Sequence, residues 1–257
     1  NQMYASPATQ QAMEQLRTRE GVTLLDCAEG DLACGTTGKG RMQEIEGIID
    51  AIKAAFTPKT MIGKRVLITA GSTIEKIDPV RYISNFSTGK MGRALADECR
   101  HRGAEVSLIA GELSAQAMYE QTLQAFPHHD MAILCAAVSD FTPACPSPEK
   151  IKKKPGQKEW SLSLKTTPDI AAALGKIKQP TQTLIGFALE TENEEVNALS
   201  KMKSKNLDYI VLNSLRHAGA GFGTETNRVT VFSRNGQKKD IPLMLKEDVA
   251  QQILDFI

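Results

Sequence analysis

From Lys64 onward, short apolar runs alternate with amphipathic stretches at helical spacing. Arg65-Val-Leu-Ile-Thr-Ala70 is a β-branched run of the kind that forms a strand buried on both faces. Residues 105–110, 131–136, 183–187 and 208–212 repeat that texture. Between them lie helical patterns. Residues 90–102 carry Met91, Leu95 and Cys99 along one face and stop at Gly103, and further patterns fall around 115–125, 168–178 and 194–205. Such alternation predicts an α/β fold, a Rossmann-like parallel sheet flanked by helices on both faces. Residues 228–233 and 238–243 flank Asn235-Gly236 and predict a C-terminal β-hairpin, with a closing helix over 245–257.

The first 60 residues read differently. They hold a helical stretch over 7–16, a short apolar segment at 22–25 and a glycine-rich turn, Ala33-Cys34-Gly35-Thr36-Thr37-Gly38-Lys39-Gly40-Arg41-Met42. A second helical pattern runs over 45–56. This is too little apolar surface to bury a core of its own. Thr57-Pro58-Lys59-Thr60 reads as a linker, because proline biases its predecessor away from helix. The expected division is therefore 1–60 and 61–257.

Composition narrows the partners. The 257 residues carry 31 basic and 30 acidic side chains, a net charge of +1. That provides no global field for nucleic acid or an anionic membrane, so any anion site must be local. Five cysteines, with no C-x-x-C and no histidine at metal-ligand spacing, argue against a disulfide framework or zinc site; reduced thiols in a cytoplasmic setting are expected. No apolar run reaches the length of a membrane span. The chain opens on Asn1 rather than Met, so a targeting segment is neither seen nor excluded.

Ligands of open α/β sheets sit beyond the C-terminal ends of the strands, which directs attention to the long connection over 71–89. It lacks G-x-G-x-x-G, since the strand ends Ala70-Gly71-Ser72-Thr73-Ile74. Instead Ser87-Thr88-Gly89-Lys90-Met91-Gly92 falls at a helix start, where backbone N–H groups and hydroxyls suit phosphate. Taken alone, that segment is better explained as a plain Ser or Thr helix cap. Asp78-Pro79-Val80-Arg81-Tyr82-Ile83-Ser84-Asn85 precedes it and adds an amide suited to a carboxylate or acyl group.

Together with Ile68-Thr-Ala-Gly-Ser-Thr73 these residues resemble phosphopantothenate–cysteine ligase, the second half of the bacterial bifunctional coenzyme A biosynthesis enzymes. The resemblance continues through Ala136-Ala-Val-Ser-Asp140, Glu149-Lys-Ile-Lys-Lys153, Gly186-Phe-Ala-Leu-Glu-Thr191 and Lys205-Asn-Leu-Asp208, and spans essentially 64–257. It implies that Ala136, Asp140, Lys150, Phe187, Lys201 and Lys205 bind the nucleotide, with Asn213 a weaker candidate. It implies Asn85 and Lys150 as catalytic residues, Asn85 toward the reacting acyl oxygen. Ser87, Thr88, Gly89, Lys90 and Arg81 fall to substrate or phosphate, Arg81 alternatively to a subunit contact. The implied reactants are 4′-phosphopantothenate, L-cysteine and CTP, with Mg²⁺ on the triphosphate and no protein metal ligands. A homodimer through this domain is implied, and a larger assembly for the intact protein. Ser72–Lys76 and Phe86 receive no role.

Residues 1 to about 45 resemble the tail of phosphopantothenoylcysteine decarboxylase, which uses FMN. Asn1 then belongs to a substrate segment and Cys34 to a mobile clamp, as proton donor in the intact protein. The resemblance places the flavin-binding region and a catalytic histidine upstream of Asn1. Two rivals differ in class: a nicotinamide-dependent dehydrogenase, weakened by the missing glycine fingerprint, and a regulatory module that binds nucleotide without turnover.

Overall fold

The computed structural model describes residues 2–33, 35–214 and 219–257. The chain forms two compact units, Asn1–Lys59 and Thr60–Ile257. Asn1 and Cys34 lie outside the described residues.

The first unit contains α1 (Pro7–Arg17), β1 (Ala28–Asp31), β2 (Thr37–Arg41) and α2 (Ile45–Phe56). Ser6 caps α1 by accepting from the Thr9 N–H, and Pro7 occupies the first helical position where its missing N–H is harmless. β1 and β2 pair antiparallel, with Gly30 opposite Gly38, so Thr37–Arg41 of the glycine-rich segment is the second strand of a hairpin. The apolar segment at 22–25 forms no strand. Neither helix buries a residue.

The second unit begins with β3 (Arg65–Thr69), β4 (Ile74–Lys76), β5 (Tyr82–Ser84), α3 (Lys90–His101), β6 (Glu105–Ile109) and α4 (Ala115–Ala125). It continues with β7 (Met131–Leu134), β8 (Phe141–Pro143), β9 (Leu164–Thr166), α5 (Ile170–Ile177), β10 (Thr183–Glu190) and α6 (Glu194–Ser204). β11 (Tyr209–Ser214), β12 (Thr226–Ser233), β13 (Lys238–Leu245) and α7 (Lys246–Leu254) complete it. The main sheet has seven strands in the order β13-β12-β11-β10-β7-β3-β6. From β6 to β11 all neighbours are parallel; β12 and β13 are antiparallel additions joined through Asn235-Gly236.

Alternation along each strand splits the core into two layers. Val66, Ile68, Ile133, Ile185 and Val211 face one side, with Leu95 of α3 and Val249 of α7. Leu67, Ala132, Leu184, Ile210 and Leu212 face the other, with Met118 of α4, Leu174 of α5 and Met202 of α6. Neighbouring residues of one strand thus enter opposite layers, the arrangement expected of a parallel sheet covered on both faces.

Two small ribbons were not evident in the apolar pattern. β4 and β5 form a hairpin inside the long connection after β3, and β8 and β9 form another after β7. Strands this short, with few apolar residues, carry little periodic signal. The first hairpin is organised by Asp78, whose side chain is fully buried. Its carboxylate accepts from the Val80 and Arg81 N–H groups at 2.8 and 2.9 Å, from the Arg81 guanidinium, and from the Ile151 N–H at 3.1 Å. Arg81 in turn donates to the Ile151 carbonyl. Burial alone would raise the Asp78 carboxyl, but the Val80 and Ile151 amides and the Arg81 side chain outweigh it and hold it at about 2. The connection bearing Lys150 is therefore pinned to this hairpin one residue past the lysine.

α3 begins tight against β3. A Cβ on Gly92 would sit 2.5 Å from the Ala70 Cβ and 3.1 Å from the Ala70 Cα. Gly92→Ala is expected to lower stability by about 1–3 kcal/mol through overpacking, read as a lower urea midpoint at unchanged slope; an unmoved midpoint would show that helix and strand part without strain. Asp78→Asn is expected to loosen the 147–154 connection, so that trypsin cuts after Lys152 or Lys153 several-fold faster than in the parent protein. Because the folded carboxyl lies below its ordinary value of 3.8, Asp78 stabilises above that pH, and its contribution fades as pH falls through about 2. Acid unfolding of the variant is accordingly expected to lose that segment of pH dependence.

Candidate functional site

Four neighbouring parallel strands, β3, β7, β10 and β11, end together, and a cavity of about 610 Å³ lies along those ends. Thr69, Ala136, Leu189 and Asn213 line it, one from the end of each strand or just beyond, and Phe187 lines it from within β10. Helices on both sides of the sheet deliver the charged groups.

On the side of α3 and α7, the cavity is lined by Asn85, Ser87, Thr88, Gly89 and Lys90. Gly89 itself is the helix cap, in the left-handed region at φ +76°, and no side chain caps the first turn. Ser87 does not cap α3 as a simple N-cap reading predicts; its Oγ accepts from the Gly89 N–H at 3.4 Å. Opening a helix this way leaves its first N–H groups available to an anion in the cavity. Asn85 stands at the mouth, its Nδ2 donating to the Ala137 carbonyl at 3.0 Å. That uses one of two amide hydrogens and fixes the direction of the other. Lys90 forms an ion pair with Glu225. Lys246, the first residue of α7, is buried and donates from Nζ to the Gly221 and Thr224 carbonyls. Burial pushes its ammonium down, Lys90 adds to that, and Glu225 opposes it.

On the side of α5 and α6 the cations are Lys201, paired with Glu190 at 2.6 Å, and Lys205, paired with Asp169 at 2.9 Å. Both lysines line the cavity, as their spacing of four on one helix face allows. Lys205 is held by its backbone. A Cβ on Gly175 would fall 2.0 Å from the Lys205 carbonyl oxygen, so α5 and α6 approach this closely only through glycine. Asn206, at φ +54°, turns the chain there and donates from Nδ2 to the Gly175 carbonyl at 2.7 Å. Asp169 caps α5 by accepting from the Ala172 N–H at 2.9 Å. Burial would raise its carboxyl, but the Ala172 amide and Lys205 outweigh that and lower it.

Between these groups lie Ala136 and an exposed Asp140, and Phe187, which lines the cavity while packing against the core. The Asn213 Oδ1 is buried without a hydrogen-bond partner among the described residues, an acceptor that a ligand donor would satisfy. Cys135 also lines the cavity, but burial pushes its thiol up to about 12, which removes it as a nucleophile near neutrality. Among the described residues no cluster of three or more histidine, cysteine or carboxylate side chains is placed to hold a metal.

Two of the expected residues do not line the cavity. Arg81 is engaged by Asp78 and the Ile151 carbonyl, and Lys150 is exposed on the connection that this pair anchors. Conversely, Lys246, Asp169, Asn227 and the Gly221-Phe222-Gly223 segment line the cavity without having been singled out in the sequence. Alternating Gly219, Gly221 and Gly223 was the available signal for the last of these, since such spacing marks backbone that approaches closely or turns.

The model of the DNA/pantothenate metabolism flavoprotein C-terminal domain matches residues 61–257, and a Flavoprotein model matches residues 1–57. The chain is 46% identical over 272 residues to a cysteine/cysteine sulfinic acid decarboxylase from an unknown prokaryotic organism, covering 98% of this chain and 75% of that protein. It is 42% identical over 273 residues to the coenzyme A biosynthesis bifunctional protein CoaBC of Bacillus subtilis, covering 99% of this chain and 66% of that protein. The crystal structure of the C-terminal domain of a CoaBC protein superposes with a TM-score of 0.62 at 36% identity, over 77% of this chain and 95% of that one. The chain thus spans from about two thirds to three quarters of the curated relatives it matches. With most of its length under one family model and its fold shared with a solved member, the chain belongs to the DNA/pantothenate metabolism flavoprotein family.

Proposed function

We propose that the unit from Thr60 onward is a phosphopantothenate–cysteine ligase of coenzyme A biosynthesis, joining the carboxylate of 4′-phosphopantothenate to the amine of L-cysteine at the expense of CTP. The observation that carries this reading is a single cavity with cationic groups on both faces of one sheet and an amide donor, Asn85, at its mouth. A carboxylate must be activated before an amine can attack it. Its oxygen attacks the nucleotide α-phosphorus and expels pyrophosphate, giving an acyl-cytidylate. The cysteine nitrogen then attacks the acyl carbon and expels CMP.

The chain's residues fit those steps by charge and position. Lys201 and Lys205 face the triphosphate, joined by Lys150 when its connection folds over the cavity, and Asp140 and Phe187 receive ribose and base. The first turn of α3, with Ser87, Thr88, Gly89 and Lys90, holds the phosphate of phosphopantothenate. Phosphoryl transfer asks mainly for alignment and charge neutralisation, which such donors supply. Mg²⁺ travels on the triphosphate. The unit acts as a homodimer in the cytoplasm, within a larger assembly when the protein is intact, and Arg81 works by holding its hairpin and the Ile151 connection.

In the intact protein the first unit belongs to an FMN-dependent decarboxylase acting on the ligase product. Neither α1 nor α2 buries a residue, and no step is assigned to them. The relative named for cysteine and cysteine sulfinic acid supports a second reading of that half. Both decarboxylations remove the carboxyl group of a cysteine unit, one acylated on nitrogen and the other not. Carbon dioxide release by the intact protein from each substrate separates them.

The ligase reading is tested by pyrophosphate release from this chain with phosphopantothenate, L-cysteine, Mg²⁺ and either CTP or ATP. Release with CTP is expected, and silence with both nucleotides would overturn the proposal. Asn85→Ala is expected to lower the rate by about 100- to 1000-fold, the usual loss on removing one donor to a developing oxyanion. Near-parental ligation by that variant would leave Asn85 only its structural bond to Ala137.

A further inference from the structure

We infer that Arg234, at the turn of the β12–β13 hairpin and outside the cavity, is a positioning residue for Lys205 and through it for nucleotide affinity. The inference rests on the ligase reading, in which Lys205 faces the triphosphate.

α6 ends in a Schellman motif. The Leu207 N–H donates to the Met202 carbonyl at 3.0 Å and the Asn206 N–H to the Lys203 carbonyl at 3.3 Å, with Asn206 left-handed at φ +54°. Glycine takes that position at least cost, so the asparagine is explained by its side chain. Its Nδ2 donates to the Gly175 carbonyl of α5 at 2.7 Å, and its Oδ1 accepts from Arg234 Nη2 at 2.6 Å. Both ends of the amide are used, one toward α5 and the other toward the hairpin.

Arg234 grips the same turn at further points. Its Nε and Nη2 donate to the Leu207 carbonyl at 3.0 and 2.8 Å, and its backbone N–H to the Asp208 carbonyl at 2.8 Å. The Asn235-Gly236 turn places it there, with Gly236 at φ +87° and the Ser233 N–H donating to the Gln237 carbonyl at 3.0 Å. Asp208 is fixed in turn by Lys178, the residue after α5, at 2.7 Å and by the Leu184 N–H of β10 at 2.8 Å.

The end of α6 is therefore limited in both directions. The hard contact at Gly175 stops the Lys205 backbone from moving toward α5, and the Asn206 and Arg234 bonds stop it from moving away. Lys205 then reaches Asp169, the cap at the other end of α5, at 2.9 Å. A long side chain whose base is fixed loses less freedom when a ligand arrives. The Arg234 side chain is half-exposed and does not line the cavity, so its influence passes through Asn206 and Lys205.

The experiment measures CTP binding by calorimetry and steady-state ligation in the parent, R234M, R234K, K205M and R234M/K205M. R234M is expected to weaken CTP binding and raise the KM for CTP about 3- to 10-fold, within the range for residues that act on a site through intervening contacts. The kcat and the KM for phosphopantothenate should stay within about twofold. R234K keeps the charge without the planar fork and should behave as R234M. In the K205M background the Arg234 substitution should add nothing, since both changes act by one route, whereas a general loosening of the fold gives additive losses. Parental CTP affinity in R234M or R234K, or additive losses in the double variant, would overturn the inference. If R234M does not fold, N206G decides: it keeps the left-handed turn, removes both amide bonds, and should show the same loss of CTP affinity; an unchanged affinity would overturn the inference. A parent protein that binds CTP without releasing pyrophosphate counts against the ligase reading alone, and one that binds neither CTP nor ATP counts against both.

Discussion

Everything at the cavity depends on how closely α3 can approach the end of β3. Parallel strands that stop together leave unpaired backbone at one edge, and the helices that follow present their N-terminal amides at that same edge. Here the approach is set by Gly92 lying on Ala70 and by Gly89 turning through a left-handed conformation beside Gly71. A Cβ at either position would push the first turn of α3 outward. A cap supplied by Ser87 or Thr88 would instead occupy the amides that the turn leaves open. The two glycines therefore determine both where α3 begins and what its first turn can bind.

The second determinant is electrostatic. Lys90, Lys201 and Lys205 each come to the cavity already paired, with Glu225, Glu190 and Asp169 respectively. Pairing holds long side chains in place without a ligand present. The Lys90 and Glu225 side chains are 38% and 73% exposed, so that pair is worth only about 0–1 kcal/mol and a phosphate can displace the carboxylate at small cost. Lys246 differs because it is buried and bonded to carbonyls. A protein that needs to bind and release polyanions repeatedly is served by cations whose resting partners are weak, plus one whose charge water does not screen.

The sheet was legible in the sequence because burial on both faces leaves unbroken apolar runs, and the helices because their apolar positions recur at 3.6-residue spacing. Ends were less legible. The helix expected over 168–178 is α5, Ile170–Ile177, since Asp169 accepts from Ala172 and so takes the cap. The closing helix is α7, Lys246–Leu254, since β13 extends to Leu245 and pairs there with Thr226. The ribbons β4–β5 and β8–β9 left no periodic trace, because they are held by backbone pairing and, for the first, by one buried carboxylate. In the cavity, residues that belong to recognisable motifs were legible: Asn85, Ser87 to Lys90, Asp140, Phe187, and the Lys201 and Lys205 pair. Lys246 and Asp169 were not, because each looks like an ordinary helix-end residue until chain segments distant in sequence are brought against it.

The Asp78–Arg81 pair shows how a motif can serve a site without entering it. In sequence, an acid and an arginine beside the phosphate turn suggest ligands. In the structure the acid is spent on three donors within its own hairpin, the Val80 and Arg81 amides and the Arg81 guanidinium, and on the Ile151 amide, and the arginine completes the clasp on the Ile151 carbonyl. Lys150 precedes that clasp by one residue and is exposed. Under the ligase reading proposed above, a lysine tethered at its base would lose less entropy on closing over the cavity than one on an unanchored connection. The carboxyl of Asp78 lies at about 2, so the tether stays charged across the whole range in which such an enzyme would work. Loop and cavity are thereby coupled through one buried carboxylate: Asp78 and Arg81 hold the tether, and Asn85 and Ser87 to Lys90, further along the same connection, line the cavity.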